Sequence, residues 1–100
     1  AIALDPQYAV AYNNRGYLKF DKLNDPQGAL ADYNQAISLK PKLAEAYGNR
    51  GNLKNDKLKD RQGAISDLRT AARIFREQGQ TQNLRVAIAS LRRLGATEKP

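Results

Sequence analysis

Cysteine and histidine are both absent from this 100-residue chain. Without cysteine there is no disulfide, no thiolate metal site and no cysteine nucleophile. Without histidine, a Ser-His-Asp triad, a His-ligated zinc and an imidazole general base are all excluded. Carboxylates, lysines, tyrosines and a few hydroxyls remain for chemistry. There is no apolar run of about 18 residues, so no segment reads as a membrane-spanning helix. Nor is there a signal-peptide pattern, and the chain opens on "AIALDP" rather than on Met. That opening is expected to be internal to a longer sequence, which leaves the compartment open, with the cytoplasm favoured.

Acid is also scarce. Ten Asp and Glu stand against seventeen Lys and Arg, for a net charge of +7 and a pI near 9.9. The surplus grows along the chain. Residues 1–43 carry five positive and four negative charges, residues 44–75 seven and four, and residues 76–100 five and two. Such a surplus can serve nucleic acid or acidic partners. The plainer reading, a well-solvated helical surface, is preferred.

What the chain has in abundance is repetition. The stretch "NNRGYLKFDKLNDPQGALADY" at Asn13–Tyr33 returns 35 residues later as "GNRGNLKNDKLKDRQGAISDL". Over Ala9–Lys40 against Ala44–Phe75, seventeen of 32 pairs are identical, where ordinary composition gives about two. Upstream, Ala1, Ile2, Leu4 and Pro6 match Ala36, Ile37, Leu39 and Pro41. A period of this length marks an array whose units bury one another's faces.

Each copy reads as two helices. Asp5-Pro6 has the form of an N-cap followed by proline at the first helical position. Ala11, Tyr12, Arg15, Gly16, Lys19 and Leu23 then recur at helical steps. Asn24-Asp25-Pro26 breaks that helix, and Asp25 caps the next, whose apolar stripe is Ala29, Leu30, Tyr33, Ala36 and Ile37. Lys40-Pro41 closes the unit. The second copy repeats this with Tyr47, Gly51 and Leu58, then Asp60 as cap and Ala64, Ile65, Leu68, Ala71 and Ala72 as stripe. Small residues recur in register at Gly16, Ala29 and Ala36 and at Gly51, Ala64 and Ala71. A mid-helix glycine costs about 1 kcal/mol against alanine, so its recurrence implies close packing of helix on helix.

Tyr12, Gly16, Ala29, Ala36 and Pro41, with Tyr47, Gly51, Ala64 and Ala71, resemble the tetratricopeptide repeat. The usual unit has 34 residues and this one 35, the extra residue falling between Gly16 and Leu23 and between Gly51 and Leu58, where a longer first helix or a wider turn is expected. The resemblance covers about residues 1–75. It implies an all-α fold, an α-solenoid of stacked antiparallel helix pairs, without cofactor. The expected organisation is one domain over residues 1–100: the tail of a preceding repeat at 1–8, repeats at 9–43 and 44–78, and a C-terminal capping helix at 80–95.

Where the family usually places leucine before the glycine, this chain has Arg15 and Arg50. Each is followed seventeen residues later by an aspartate, Asp32 or Asp67. An arginine fork against a carboxylate makes a bidentate pair, and the fixed spacing favours two intra-repeat ion pairs over arginines facing a ligand. After Ala71 the pattern loosens. Helix is expected to continue through about Arg76 and to stop at Gly79. A last helix is expected from Thr81 or Gln82, with Leu84, Ala87, Ile88, Leu91 and Gly95 buried, Arg85, Arg92 and Arg93 elsewhere, and a frayed "ATEKP" tail. The other end has no covering helix, which points to self-association there.

In the resembled family, peptides or partner helices dock in the concave groove lined by first helices. That implies contacts at Asn13, Asn14 and Tyr17, then at Glu45, Gly48, Asn49 and Asn52, with Asn55 near the rim. Asparagine both donates and accepts hydrogen bonds, which suits an extended backbone. Tyr17 and Phe20 would add apolar pockets. One member type grips a terminal carboxylate with lysines and asparagines. Asn14 and Asn52 match two of those places, but the lysine places hold Asn13 and Glu45, so no such grip is expected. The expected function is a protein-interaction scaffold. The alternative is a helical-repeat RNA binder, which the expected neutral groove does not favour. An enzyme is disfavoured too, because Asp25 and Asp60 are caps and Asp32 and Asp67 are paired, leaving no convergent titratable groups.

Overall fold

A computed structural model describes residues 6–96 as five α-helices: α1 (Pro6–Asp21), α2 (Pro26–Leu39), α3 (Ala44–Asp56), α4 (Arg61–Glu77) and α5 (Thr81–Arg93). No strand occurs among the described residues. The expected cap at Asp5 and most of the expected repeat tail lie outside them.

The helix boundaries follow from local chemistry. Asp25 accepts a hydrogen bond from the Gly28 N–H at 3.0 Å, and Asp60 from the Gly63 N–H at 2.9 Å. Each thereby satisfies one orphan donor at the start of α2 or α4. The turns before these caps are copies of one another. Asn24 (φ 49°) and Lys59 (φ 58°) both occupy the left-handed region. The Asp25 and Asp60 N–H groups reach back to the Lys19 and Lys54 carbonyls at 2.9 and 2.8 Å. Gly79 (φ 70°) ends α4 in the same backbone region.

The connections α1–α2 and α3–α4 span only residues 22–25 and 57–60. Turns so short force each pair to run antiparallel. The helices form two layers, in keeping with a thinnest dimension of 19 Å. Inside each pair the close contact is at glycine. A Cβ on Gly16 would lie 2.9 Å from a Tyr33 ring carbon, and one on Gly51 would lie 3.0 Å from Leu68 Cγ and 3.1 Å from the Ala64 carbonyl oxygen. Glycine is therefore required at this crossing, whatever it costs in helix propensity.

Between pairs the core is continuous. Leu30, Tyr33, Ile37 and Leu39 of α2 share clusters with Leu43, the residue just ahead of α3, and with Ala46, Leu53 and Leu58 of the next unit. Farther along, Phe75, Ala72 and Ile74 pack with Ala87 and Leu84, and Ile65 and Leu68 pack with Leu91 and Leu94. Two details differ from expectation. Gly95 is exposed, with φ 80°, because it turns the chain after α5. Ala96, expected in a frayed tail, is buried against Ile65, Leu68 and Leu91.

Candidate functional site

The residues singled out in the sequence fall into two structural groups. The first is a pair of matching ion networks. Arg15 Nε and Nη2 donate to Asp32 Oδ2 and Oδ1 at 2.8 and 2.7 Å. Arg50 Nε and Nη2 donate to Asp67 Oδ2 and Oδ1, both at 2.8 Å. Each carboxylate has a second cation one turn beyond the arginine, Lys19 at 3.2 Å and Lys54 at 3.1 Å. Each guanidinium lies over the ring of the tyrosine three residues earlier, 5.3 Å from Tyr12 and 5.4 Å from Tyr47. Both aspartates are buried, so two cations and a fork of hydrogen bonds are what keep the charge tolerable there. The Arg15 hydrogen bond holds the Asp32 carboxyl below its ordinary pKa, against the opposing effect of burial. The lysines were missed in the sequence, although both stand four residues after their arginines.

The second group surrounds two hollows on one face. The larger, of about 530 Å³, is lined by Tyr17, Phe20 and Asp21 of α1, Asn52, Asn55 and Asp56 of α3, and Ser90, Arg93 and Leu94 at the end of α5. The smaller, of about 230 Å³, has Asn13, Glu45, Gly48, Asn49 and Asn52 on one side and Asn83, Val86, Ala87 and Ser90 on the other, with Leu68 and Phe75 of α4 among its lining. Asn52 and Ser90 border both. The lining thus comes mainly from α1, α3 and α5, with Leu68 and Phe75 added from α4 and nothing from α2.

Seven of the eight expected groove residues line this face: Asn13, Tyr17, Glu45, Gly48, Asn49, Asn52 and Asn55. Asn14 is exposed and borders neither hollow. Asn13 is only 8% exposed, and its Oδ1 accepts from Asn49 Nδ2 at 3.0 Å. It is a strut between α1 and α3 rather than an open donor. Tyr17 and Phe20 meet edge to face with centroids 6.4 Å apart. The α5 residues were missed, because that helix departs from the repeated pattern. So were Asp21 and Asp56, identical in the two copies. The groove was expected to be neutral. It instead holds three carboxylates, Asp21, Glu45 and Asp56, against the one guanidinium of Arg93, and Arg93 also donates to Ser90 Oγ at 3.0 Å.

Stacked helix pairs, with hollows lined mainly by α1, α3 and α5, have the form of a helical-repeat scaffold. Residues 20–55 match the family model of the TPR, or tetratricopeptide, repeat. That stretch is similar to the tetratricopeptide repeat, and the all-α array around it is TPR-like. The matched span runs from the end of α1 through α2 and nearly all of α3, across the junction between the two copies. No curated protein matches the chain significantly. The tetratricopeptide repeat is a non-enzymatic scaffold that generally mediates protein–protein interaction. No helix among the described residues is long and apolar enough to cross a membrane.

Proposed function

We propose that this chain is an interaction scaffold whose concave face takes an extended peptide segment or a partner helix bearing cationic side chains. The observation that carries this reading is the groove's own charge. Three carboxylates against one guanidinium line it, within a chain of net charge +7. A basic segment is drawn in, while an acidic one meets like charge. The exposed edge of Tyr17 and the Asn52 amide, at the centre of the face, supply an apolar contact and a paired donor and acceptor. The RNA-binding alternative gains no support from this groove, since phosphate would be repelled from it.

The test is selection from a random peptide display library, followed by affinity measurement on the enriched sequences. Lys and Arg should outnumber Asp and Glu among them. Tyr17→Ala combined with Asn52→Ala should weaken binding by roughly tenfold or more, on the scale of about 1.4 kcal/mol per decade. Asn14→Ala, outside both hollows, should leave it unchanged. Selected peptides indifferent to the double substitution would sink the groove assignment.

A further inference from the structure

The last two helices carry charge of a kind that the first unit lacks. From Leu68 to Ala96 the chain has six arginines, no lysine and a single carboxylate, Glu77. Arg73 and Lys42 engage that carboxylate at 3.8 and 3.4 Å, and Arg93 lines the larger hollow. The other four, Arg69, Arg76, Arg85 and Arg92, are exposed and pair with no carboxylate among the described residues.

The repeat supplies an internal control. Arg69, Arg73 and Arg76 stand 35 residues after Asn34, Ser38 and Pro41, all of them exposed. The one charge within α2 is the buried Asp32. Packing of a unit therefore makes no demand for arginine on this side.

Helical register puts the four unpaired arginines together. α4 meets α5 through Ile65, Leu68, Ala72 and Phe75, of which Leu68 and Phe75 also line the smaller hollow. Arg69 and Arg76 each come one residue later, about 100° round the helix, on the flank away from that hollow. In α5, Asn83, Val86, Ser90 and Arg93 border the hollows, whereas Arg85, Ile88 and Arg92 fall at i, i+3 and i+7 on the other flank. Packing that sets Phe75 with Leu84 and Ile65 with Leu91 brings Arg76 level with Arg85 and Arg69 level with Arg92. Two rows of guanidiniums thus border the α4–α5 seam, with the half-buried Ile88 between them. The seven-residue step within each row is about 10 Å long, and the rows are roughly one helix spacing apart.

Four like charges set side by side repel one another and gain nothing within the fold. We infer that this seam is a docking surface for an acidic helix of a partner protein, its carboxylates recurring every seven residues along both edges of the face it presents. Arginine's planar fork takes a carboxylate through two hydrogen bonds. It takes a phosphate equally well, and two observations choose between them. The seven-residue step of each row is the step of a partner helix's own face, whereas phosphates follow one another far more closely along a strand. Neither α4 nor α5 exposes a ring on which a base could stack, since their one aromatic, Phe75, is 6% exposed. The seam is separate from the groove and stands whatever the groove binds.

The test titrates labelled probes with the full chain, read by fluorescence anisotropy at about 50 mM and about 200 mM salt. One probe is an alanine-based helical peptide of about three heptads with glutamate at the e and g positions. A second has the same composition with its glutamates dispersed around the helix, and a third is a short RNA duplex. Arg69→Glu with Arg92→Glu reverses two seam charges. Lys40→Glu with Lys57→Glu makes the same change of net charge elsewhere, and circular dichroism confirms that both variants fold. The ordered acidic peptide should bind the parent, weaken as salt rises, and lose roughly tenfold or more in affinity for the seam variant. It should lose less than about threefold for the lysine variant. Equal loss with both variants, or equal affinity for the dispersed peptide, overturns the inference, because net charge alone is then being read. So does a parent chain that leaves the acidic peptide unbound. An RNA duplex that binds more tightly and is released by the seam substitutions overturns it too, because the surface then belongs to nucleic acid.

Discussion

Tyr33 and Leu68 stand 35 residues apart at the same place in the two copies, each against the glycine of its partner helix. Tyr33 is fully buried and its hydroxyl has no hydrogen-bond partner among the described residues. Burial pushes its phenol well above the ordinary value. A buried hydroxyl without a partner carries a desolvation cost and returns nothing. Tyr33→Phe should therefore stabilise the chain by about 1 kcal/mol, read as a higher urea midpoint at unchanged slope; a loss of stability would mean the hydroxyl is satisfied after all. Asp32 works in the opposite sense. Its folded pKa lies below the roughly 3.9 of an unfolded aspartate, so the fold favours the ionised form. That contribution is complete above about pH 4 and is lost as pH falls through the depressed folded value. Asp32→Asn should cost stability at pH 7 and progressively less toward pH 2, seen as a flatter acid limb in thermal melts against pH. An acid limb as steep as the parent's would remove Asp32 from the account.

At the scale of the helix, position within the element decides what a glycine is worth. A Cβ on Gly48 would meet nothing nearer than Ala71 Cβ at 3.9 Å, whereas one on Gly51, a turn later, would strike Leu68 and the Ala64 carbonyl. Gly48→Ala should stabilise α3 by close to 1 kcal/mol through helix propensity. Gly51→Ala should destabilise by about 1–3 kcal/mol, because the backbone of α4 cannot withdraw as a flexible side chain would. Chemical denaturation of the two variants side by side reads the difference in sign, and the same sign for both would show that crossing distance is not what selects Gly51. Gly16 and Gly51 recur at the same mid-helix place in the two copies, which is why the crossing could be read there; the other recurring pair, Gly28 and Gly63, sits at the helix caps. Gly48 faces Asn13 in the alignment and offered no such signal. The caps at Asp25 and Asp60 and the arginine–aspartate spacing were equally legible, since each is a local or fixed-interval pattern written twice.

At the scale of the whole molecule, α5 is the element whose role sequence reasoning saw only in part. Expected as a lid on the raw face of α4, it does bury Leu91 against Ile65 and Leu68. It also supplies a wall of both hollows through Ser90, and of one each through Val86 and Arg93. Leu91→Ala should cost about 3 kcal/mol, within the range for emptying a buried leucine site. Because α5 rests on α4 by few large side chains, peptide affinity should fall in parallel with stability, followed by titrating a selected peptide into the variant. A destabilised variant that binds with full affinity would separate the lid from the groove wall.

Sequence alone was enough for the units, their turns, the partners of Arg15 and Arg50 and the face carrying Tyr17 and Asn52. These depend on contacts within a unit, and a unit written twice exposes its own constraints. Tertiary structure alone decided that Asn13 ties α1 to α3, that Asp21, Asp56 and Arg93 share a hollow, and that α5 stands in line with the first helices. It also decided that Leu18 and Leu53, the same residue at the same place, differ by half their surface. Burial belongs to the neighbours of a residue as much as to the residue, and a chain cannot state in one segment what another will lay against it.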